Sequence, residues 1–300
     1  MGLIPASGSI AIFMEQKQLA LVTGGAGFVG SHLCERLVQE GYQVISLDNY
    51  FTGSRDNHVA GVEYREGHTK DIATHITETP TVIFHLGEYA RAEQSFGDIE
   101  TVFEYNTTGT QAVLEFVRKS NSKLIYAGSS TKYADGGIGR NQSPYAWTKT
   151  SNTNLVQRYG DWFDIDYAIT YFYNVYGPRE RSDIQTGTLI SIFAEWYKNN
   201  QALLVREPGT QIRNFTHVLD IVEGLVLVGQ KGFGDEYGIG HPDSYSVLEV
   251  AQMFGGTVEM TSSRAGNRMT SAVNCRRTEL ELGWSPTRNL PDYIKQISNG

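Results

Sequence analysis

At 300 residues, with 40% hydrophobic and 11% aromatic content, the chain can bury a large core and does not have the composition of a disordered protein. Its net charge of −8 and the lack of any Lys/Arg-rich block argue against a nucleic-acid partner. No apolar run reaches the roughly 18 residues of a membrane span, so no membrane partner is expected.

Residues 1–18 read as a flexible extension, with Met14 a candidate internal start. The stretch Gly2–Phe13 is mildly apolar but has no basic segment before it, which argues against a signal peptide. Cys34 and Cys275 are the only cysteines, without metal-ligand or redox spacing. No metal site is therefore expected, and a reducing cytoplasm suits the pair.

From Leu19 onward short β-rich runs alternate with helical ones. Strands are predicted at Leu19–Thr23, Gln43–Leu47, Val62–Arg65, Val82–Leu86, Lys123–Ala127 and Asp166–Tyr171. Helices are predicted at Val29–Gln39, Ile99–Lys119 and Ser143–Tyr159. The unbroken apolar character of runs such as VIFHL implies strands buried on both faces, as in a parallel sheet. This rhythm predicts an α/β fold with a Rossmann-like, doubly wound parallel sheet over residues 19–178. Beyond Gly177-Pro178 the pattern loosens into helices at Thr188–Asn199, Asp220–Gly229 and Ser246–Phe254. Residues 179–300 are expected to form a smaller α/β substrate lobe, with 220–240 packing back on the first domain.

Thr23–Leu33 reads TGGAGFVGSHL, placing Gly24, Gly27 and Gly30 between the first strand and the first helix. Glycines there permit a tight turn, close approach of a pyrophosphate and close helix–strand packing, while the helix N-terminus offers free N–H donors. Phe28 and Val29 share that turn. Asp48, 18 residues after Gly30, ends the second strand, where a carboxylate can accept both ribose hydroxyls and repel a 2′-phosphate. The expected cofactor is NAD rather than NADP; the alternative for Asp48 is a cap on the turn before Asn49.

Tyr145 and Lys149 stand four residues apart on one predicted helix face. They follow Ser129-Ser130-Thr131 at the end of a predicted parallel strand, where ligand crevices form. A free phenol titrates near 10, so a base at pH 7 needs a shift of about 3 units, roughly 4 kcal/mol. A neighbouring ammonium supplies about 1–3 of those units. Ser130 is the expected partner of the substrate oxygen, in line with Tyr145.

Together these segments resemble the extended short-chain dehydrogenase/reductase family, in its NAD-dependent sugar-nucleotide epimerase/dehydratase branch. The resemblance also rests on DNYFTG at Asp48–Gly53, HLG at His85–Gly87, NTTGT at Asn106–Thr110, GSS at Gly128–Ser130 and YAWTK at Tyr145–Lys149. NVYGP at Asn174–Pro178, GTQIRNFTHV at Gly209–Val218 and LGWSP at Leu282–Pro286 extend it over nearly the whole chain. It implies Ser130, Tyr145 and Lys149 as catalytic residues, and Asn49, Leu86, Gly87 and Asn106 as further cofactor contacts. It further implies that Asn174, Arg213 and Arg264 hold the nucleotide sugar, that His217 is structural, and that the protein is a homodimer built on a helix pair.

The chain departs from the family pattern at several positions. The 4,6-dehydratases of the branch carry Asp-Glu after the position assigned here to Ser130, whereas this chain has Thr131 and Lys132. His68 stands where the family has an adenine-contacting Asp. The loop between Ser130 and Tyr145 is short, at 14 residues, and Glu88 replaces a small residue after His85-Leu86-Gly87. Glu88 can be read as a substrate contact or as a solvent-facing charge. The expected activity is C4 epimerisation of a nucleotide-linked hexose through a transient 4-keto sugar. The alternatives are a sugar-nucleotide 4-dehydrogenase or 4-ketoreductase and, ranked lower, a 4,6-dehydratase or a non-catalytic NAD(H) sensor.

Overall fold

The computed structural model describes residues 17–184, 186–262 and 273–299; nearly all of the predicted extension therefore lies outside the described residues. Seven parallel strands form the central sheet: β1 Leu19–Thr23, β2 Gln43–Asp48, β3 Val62–Glu66, β4 Val82–His85, β5 Lys123–Ser129, β6 Tyr167–Phe172 and β7 Gly234–Ile239. Their order is β7-β6-β5-β4-β1-β2-β3. The chain leaves β1 toward one edge and resumes from β4 toward the other. That reversal opens a crevice between the carboxyl ends of β1 and β4, the place where ligands bind in such sheets.

Alternation along each strand divides the core into two layers. On one face Ala20, Val22, Phe84 and Ile125 pack with Leu33 and Leu37 of α1 (Phe28–Gln39). On the other, Leu21, Ile83 and Tyr126 pack with Val113 and Val117 of α2 (Gly109–Ser120) and Val156 of α3 (Pro144–Phe163). Burial of each such aliphatic side chain is worth about 1.5–3 kcal/mol. The Ser143 hydroxyl accepts from Ala146 N at 3.1 Å and Pro144 opens the first turn, which starts α3 one residue before Tyr145.

The predicted helix at Ile99–Lys119 is not uniform. A π-helical turn, Phe103–Thr108, joins Ile99–Val102 to α2. Such a turn leaves carbonyls free for side-chain donors; that of Asn106 accepts from Asn152 Nδ2 at 2.8 Å.

The second lobe has its own core of Tyr176, Ile190, Phe193, Leu203, Phe254 and Ile294. It is built on α4 (Leu189–Lys198), the parallel pair Leu203–Arg206 and Val258–Thr261, and the helices Val247–Phe254 and Leu290–Asn299. Between these pieces the chain returns to the first layer. α5 (Val218–Lys231) places Ile221, Val222 and Leu225 in the core shared with α1, and β7 pairs with β6. A boundary at residue 178 thus separates two stretches of sequence but not two independent bodies.

Candidate active site

A cleft of about 810 Å³ runs along the carboxyl ends of β1, β2, β4 and β5. Gly24, Gly27, Phe28, Val29 and Gly30 line one wall, with Asp48, Asn49, Leu86 and Gly87 beside them. Here close backbone approach excludes side chains. Gly24 has φ +74°, and a Cβ on it would stand 2.9 Å from Gly87 Cα. A Cβ on Gly30 would lie 2.1 Å from the Gly24 carbonyl oxygen. Gly27 caps α1 with extended backbone, so the first-turn amides face the cleft. This backbone-lined cradle at a helix N-terminus fits a dinucleotide pyrophosphate.

Asp48 caps the turn, as the alternative reading expected, and leaves room for the ribose contact. Oδ2 accepts from Ala26 N at 2.9 Å and Oδ1 from Tyr50 N at 2.8 Å, so the carboxylate ties the glycine turn to the end of β2. Each carboxylate oxygen keeps a second acceptor position for a ribose hydroxyl. Burial raises the Asp48 pKa, and those two amides partly oppose the rise. His68 lines the cleft nearby; its Nδ1 accepts from Lys70 N at 3.0 Å and its ring meets Tyr105 edge-on at 4.4 Å. Burial lowers its pKa.

At the other end of the cleft Tyr145 donates to Ser129 Oγ at 3.2 Å. The structure thus sets Ser129, not the expected Ser130, at the phenol. β5 ends on Ser129, whose Oγ also accepts from Thr131 Oγ1 at 2.9 Å, whereas Ser130 already belongs to the 3₁₀ segment Ser130–Asn141. Both serines line the cleft. A pair of adjacent serines does not reveal in sequence which one terminates the strand. Counted from Ser129, the following residues are Ser130 and Thr131, again without a carboxylic acid. Lys132 is committed elsewhere: it pairs with Asp235 of β7 at 2.6 Å and donates to Tyr171 at 2.9 Å.

Lys149 sits behind this wall, 5% exposed, ion-paired with Glu88 and donating to the Ala127 carbonyl. Glu88 therefore fits neither of its two expected settings alone. It borders the cleft, yet its side chain is only 4% exposed. Asn106 also lies behind the wall. Its amide accepts from Tyr89 N at 2.7 Å and donates to Thr148 Oγ1 at 3.0 Å, bracing the turn after Gly87. Asn106, expected as a cofactor contact, is not among the residues lining the cleft and instead supports the turn that borders it.

Among the expected substrate residues, Asn174 lines the cleft with φ +39° and donates to Asn214 O at 2.7 Å. Arg213 lies on the short strand Ile212–Asn214, opposite Tyr245, and donates to Ile212 O at 2.8 Å. Arg264 lies outside the described residues. His217 accepts from Leu219 N at 3.2 Å as the cap of α5. Burial brings its pKa down to about 4, so it is neutral at physiological pH.

Arg91 and Glu180 are wall residues that sequence reasoning missed. Burial lowers the Arg91 pKa, against the attraction of Glu180 and Tyr145, and its guanidinium donates to Thr186 O. Burial carries Glu180 up to about 7, opposed by a hydrogen bond from Thr188 and by Arg91. No motif or spacing flags either residue; they meet only because the turn after β4 faces the segment after Pro178. Among the described residues no His/Cys/Asp/Glu group can hold a metal ion, and no helix is long and apolar enough to cross a membrane.

Known proteins resemble this chain along most of its length. A putative UDP-glucose 4-epimerase from Methanocaldococcus jannaschii is 28% identical over 94% of this chain and 97% of its own length. UDP-glucuronic acid decarboxylase 6 from Arabidopsis thaliana is 29% identical over 94% and 88% respectively. The crystal structure of Thermus thermophilus UDP-glucose 4-epimerase in complex with NAD superposes with a TM-score of 0.84 at 25% identity, over 94% of this chain and 98% of that one. The model of the NAD dependent epimerase/dehydratase family matches residues 20–240. With that match over most of its length and a glycine cradle shaped for a dinucleotide, the chain belongs to the NAD dependent epimerase/dehydratase family and is an NAD-dependent enzyme of sugar nucleotides.

Proposed function

We propose that the protein inverts C4 of a nucleotide-linked hexose through a transient 4-keto sugar. The observation that carries this reading is the Tyr145 hydroxyl, held by Ser129 in the wall of the same cleft that the glycine turn closes at its far end. NAD, when bound, supplies a reversible hydride acceptor. Gly24, Gly27, Phe28, Val29, Gly30, Asp48, Asn49, Leu86 and Gly87 would hold it, and Lys149 has one of its three N–H donors beyond the two described contacts for its ribose.

Tyr145 takes the C4 hydroxyl proton and later returns it. Ser129 and Ser130 steady the oxygen that loses it. Asn174, Arg213 and Arg264 restrain the nucleotide so that only the sugar turns over. Arg91 and Glu180 offer the sugar one donor and one acceptor. Elimination of water lacks support, because neither serine is followed by the acid–base pair that it needs.

Decarboxylation of a nucleotide-linked uronic acid is the second reading, favoured by the decarboxylase relatives and by the Arg91 guanidinium, which suits a carboxylate. A 4-keto uronic acid is a β-keto acid and can lose CO₂ once C4 is oxidised. A homodimer is also proposed. Phe96, Ile99 and Trp147 are 66%, 50% and 46% exposed on the side of α2 and α3, and Phe103 stacks on Trp147 at 5.6 Å. Both cysteines are buried and unpaired, in keeping with a reducing, cytoplasmic setting.

The test is incubation with UDP-glucose and with UDP-glucuronate, without added cofactor, read by NMR. C4 inversion with no net NADH supports epimerisation. A pentose product with CO₂ selects decarboxylation, and NADH formed only with added NAD selects the dehydrogenase. Retained cofactor with no turnover across a broad panel of sugar nucleotides overturns the proposed epimerisation.

A further inference from the structure

Glu88 occupies a position whose chemistry the proposed reaction does not yet use. Its carboxylate is buried against three elements. From α3 it is ion-paired with Lys149 and accepts from Asn152 Nδ2 at 2.8 Å. From β5 the Tyr126 hydroxyl donates to it at 3.2 Å, and from α2 the Thr110 hydroxyl donates at 2.8 Å. Burial pushes its pKa up, but the charge of Lys149, aided by the hydrogen bonds from Lys149 and Thr110, more than reverses the rise, so the group is ionised.

An ionised carboxylate can only accept, which fixes the direction of a longer chain of bonds. Thr110 gives its proton to Glu88 and so accepts from His85 Nε2, 3.0 Å away. Burial takes the His85 pKa down to about 4, leaving a neutral ring whose Nδ1 accepts from Thr23 Oγ1 at 2.7 Å. Thr23 Oγ1 in turn accepts from Gly87 N at 3.1 Å. One directed chain thus joins Gly87 N in the turn after β4, through Thr23 at the end of β1, to the carboxylate that pairs with the ammonium one helical turn from Tyr145.

A lone buried ammonium would be costly to keep charged and would draw the neighbouring phenol strongly toward ionisation. Glu88 changes both effects. The other groups bearing on these two are His85 from β4, the neutral Tyr126 phenol from β5, whose ring lies 4.6 Å from Lys149 Nζ, and Arg91, which acts on Tyr145 from the turn after β4. Of these, Glu88 is the one anion in contact with the ammonium.

We propose that Glu88 is a positioning residue that holds Lys149 under the cleft wall and, by offsetting its charge, sets the pH at which Tyr145 ionises. The catalytic consequence rests on the proposed role of Tyr145, but the electrostatic claim does not. It is therefore tested without turnover. Phenolate absorbance is titrated in the NAD-saturated protein, and the Tyr145 signal is isolated by subtracting the same titration of Tyr145→Phe. The comparison is repeated in Glu88→Gln and Glu88→Asp, each against its own Tyr145→Phe double variant.

In Glu88→Gln the Tyr145 midpoint is expected to fall by about one pH unit or more, because the ammonium is no longer offset. In Glu88→Asp, which keeps the charge but retracts it by one methylene, a smaller fall in the same direction is expected. An unchanged or raised midpoint in Glu88→Gln overturns the proposal. If that variant does not fold by circular dichroism, the sign of the Glu88→Asp shift decides in the same way. An inactive wild-type protein with a shifted midpoint would sink the reaction assignment while leaving the role of Glu88 standing.

Discussion

In the proposed reaction the Tyr145 hydroxyl moves the C4 proton, and removing it tests that assignment directly. Tyr145→Phe should lower kcat by about 10²–10⁴-fold with little change in NAD affinity, measured by turnover and by cofactor binding. The 3.2 Å bond from Tyr145 to Ser129 makes a sharper distinction. Ser129→Ala should lower kcat by at least about tenfold, whereas Ser130→Ala should stay within about threefold; the reverse ranking would return the role to Ser130. Asp48 accepts from two backbone amides and is proposed to hold the NAD ribose, so Asp48→Ala should both weaken NAD binding and destabilise the fold by about 1–3 kcal/mol, as Ala26 N and Tyr50 N lose their acceptor. Chemical denaturation with and without NAD separates the two effects. These proposed roles rest on residue type and position, and the sequence brings the residues into view. It does not reveal which of two adjacent serines meets the phenol, because that depends on where β5 ends.

Among the elements, the short segment after β5 is held by chemistry that its glycine content conceals. Lys132 leaves it to join Asp235 at 2.6 Å and Tyr171 at 2.9 Å, and Gln157 of α3 donates to the same carboxylate at 2.9 Å. The Asp235 side chain is only 13% exposed. Lys132→Met should therefore destabilise the protein by up to about 3 kcal/mol, less whatever packing the methionine recovers, because it leaves a largely buried carboxylate hydrogen-bonded but without its counter-charge. Thermal melting checks this, and a change below about 0.5 kcal/mol would show that the pair does not anchor the segment. The π-helical turn before α2 is likewise absent from the hydrophobic pattern, which reads as one continuous helix over Ile99–Lys119. Its extra residue frees the Asn106 carbonyl for Asn152, which in turn supports Glu88. Periodicity reports which face is apolar; it does not register one added residue in a turn.

At the scale of the whole molecule, burial of titratable groups shapes stability against pH. His85 and His217 are held near 4, below their unfolded value of about 6.5. Each therefore contributes up to about 3 kcal/mol that is present above pH 6.5 and lost as pH falls toward 4. Glu180 works in the opposite sense. Raised to about 7, it is most favourable below its unfolded value near 4.5, and its contribution of up to about 3 kcal/mol is lost as pH rises through 7. Glu180→Gln should thus stabilise the protein at pH 8 and steepen its loss of stability on acidification, in melts taken from pH 8 to pH 4. A flat difference between variant and wild type would mean that Glu180 titrates normally.

The parallel sheet, the glycine turn, Asp48 and the Tyr145–Lys149 pair follow from local pattern and spacing, which record hydrophobic period, backbone freedom and helical phase. The partners of those groups do not. Glu88 reaches Lys149 across 61 residues of chain, Lys132 reaches Asp235 across 103, and Arg91 faces Glu180 from the opposite side of the cleft. Such meetings are set by how strands are ordered and layers are stacked. That is why the kind of chemistry is legible in the chain itself, while the electrostatic setting of the Tyr145 phenol is decided only by the folded molecule.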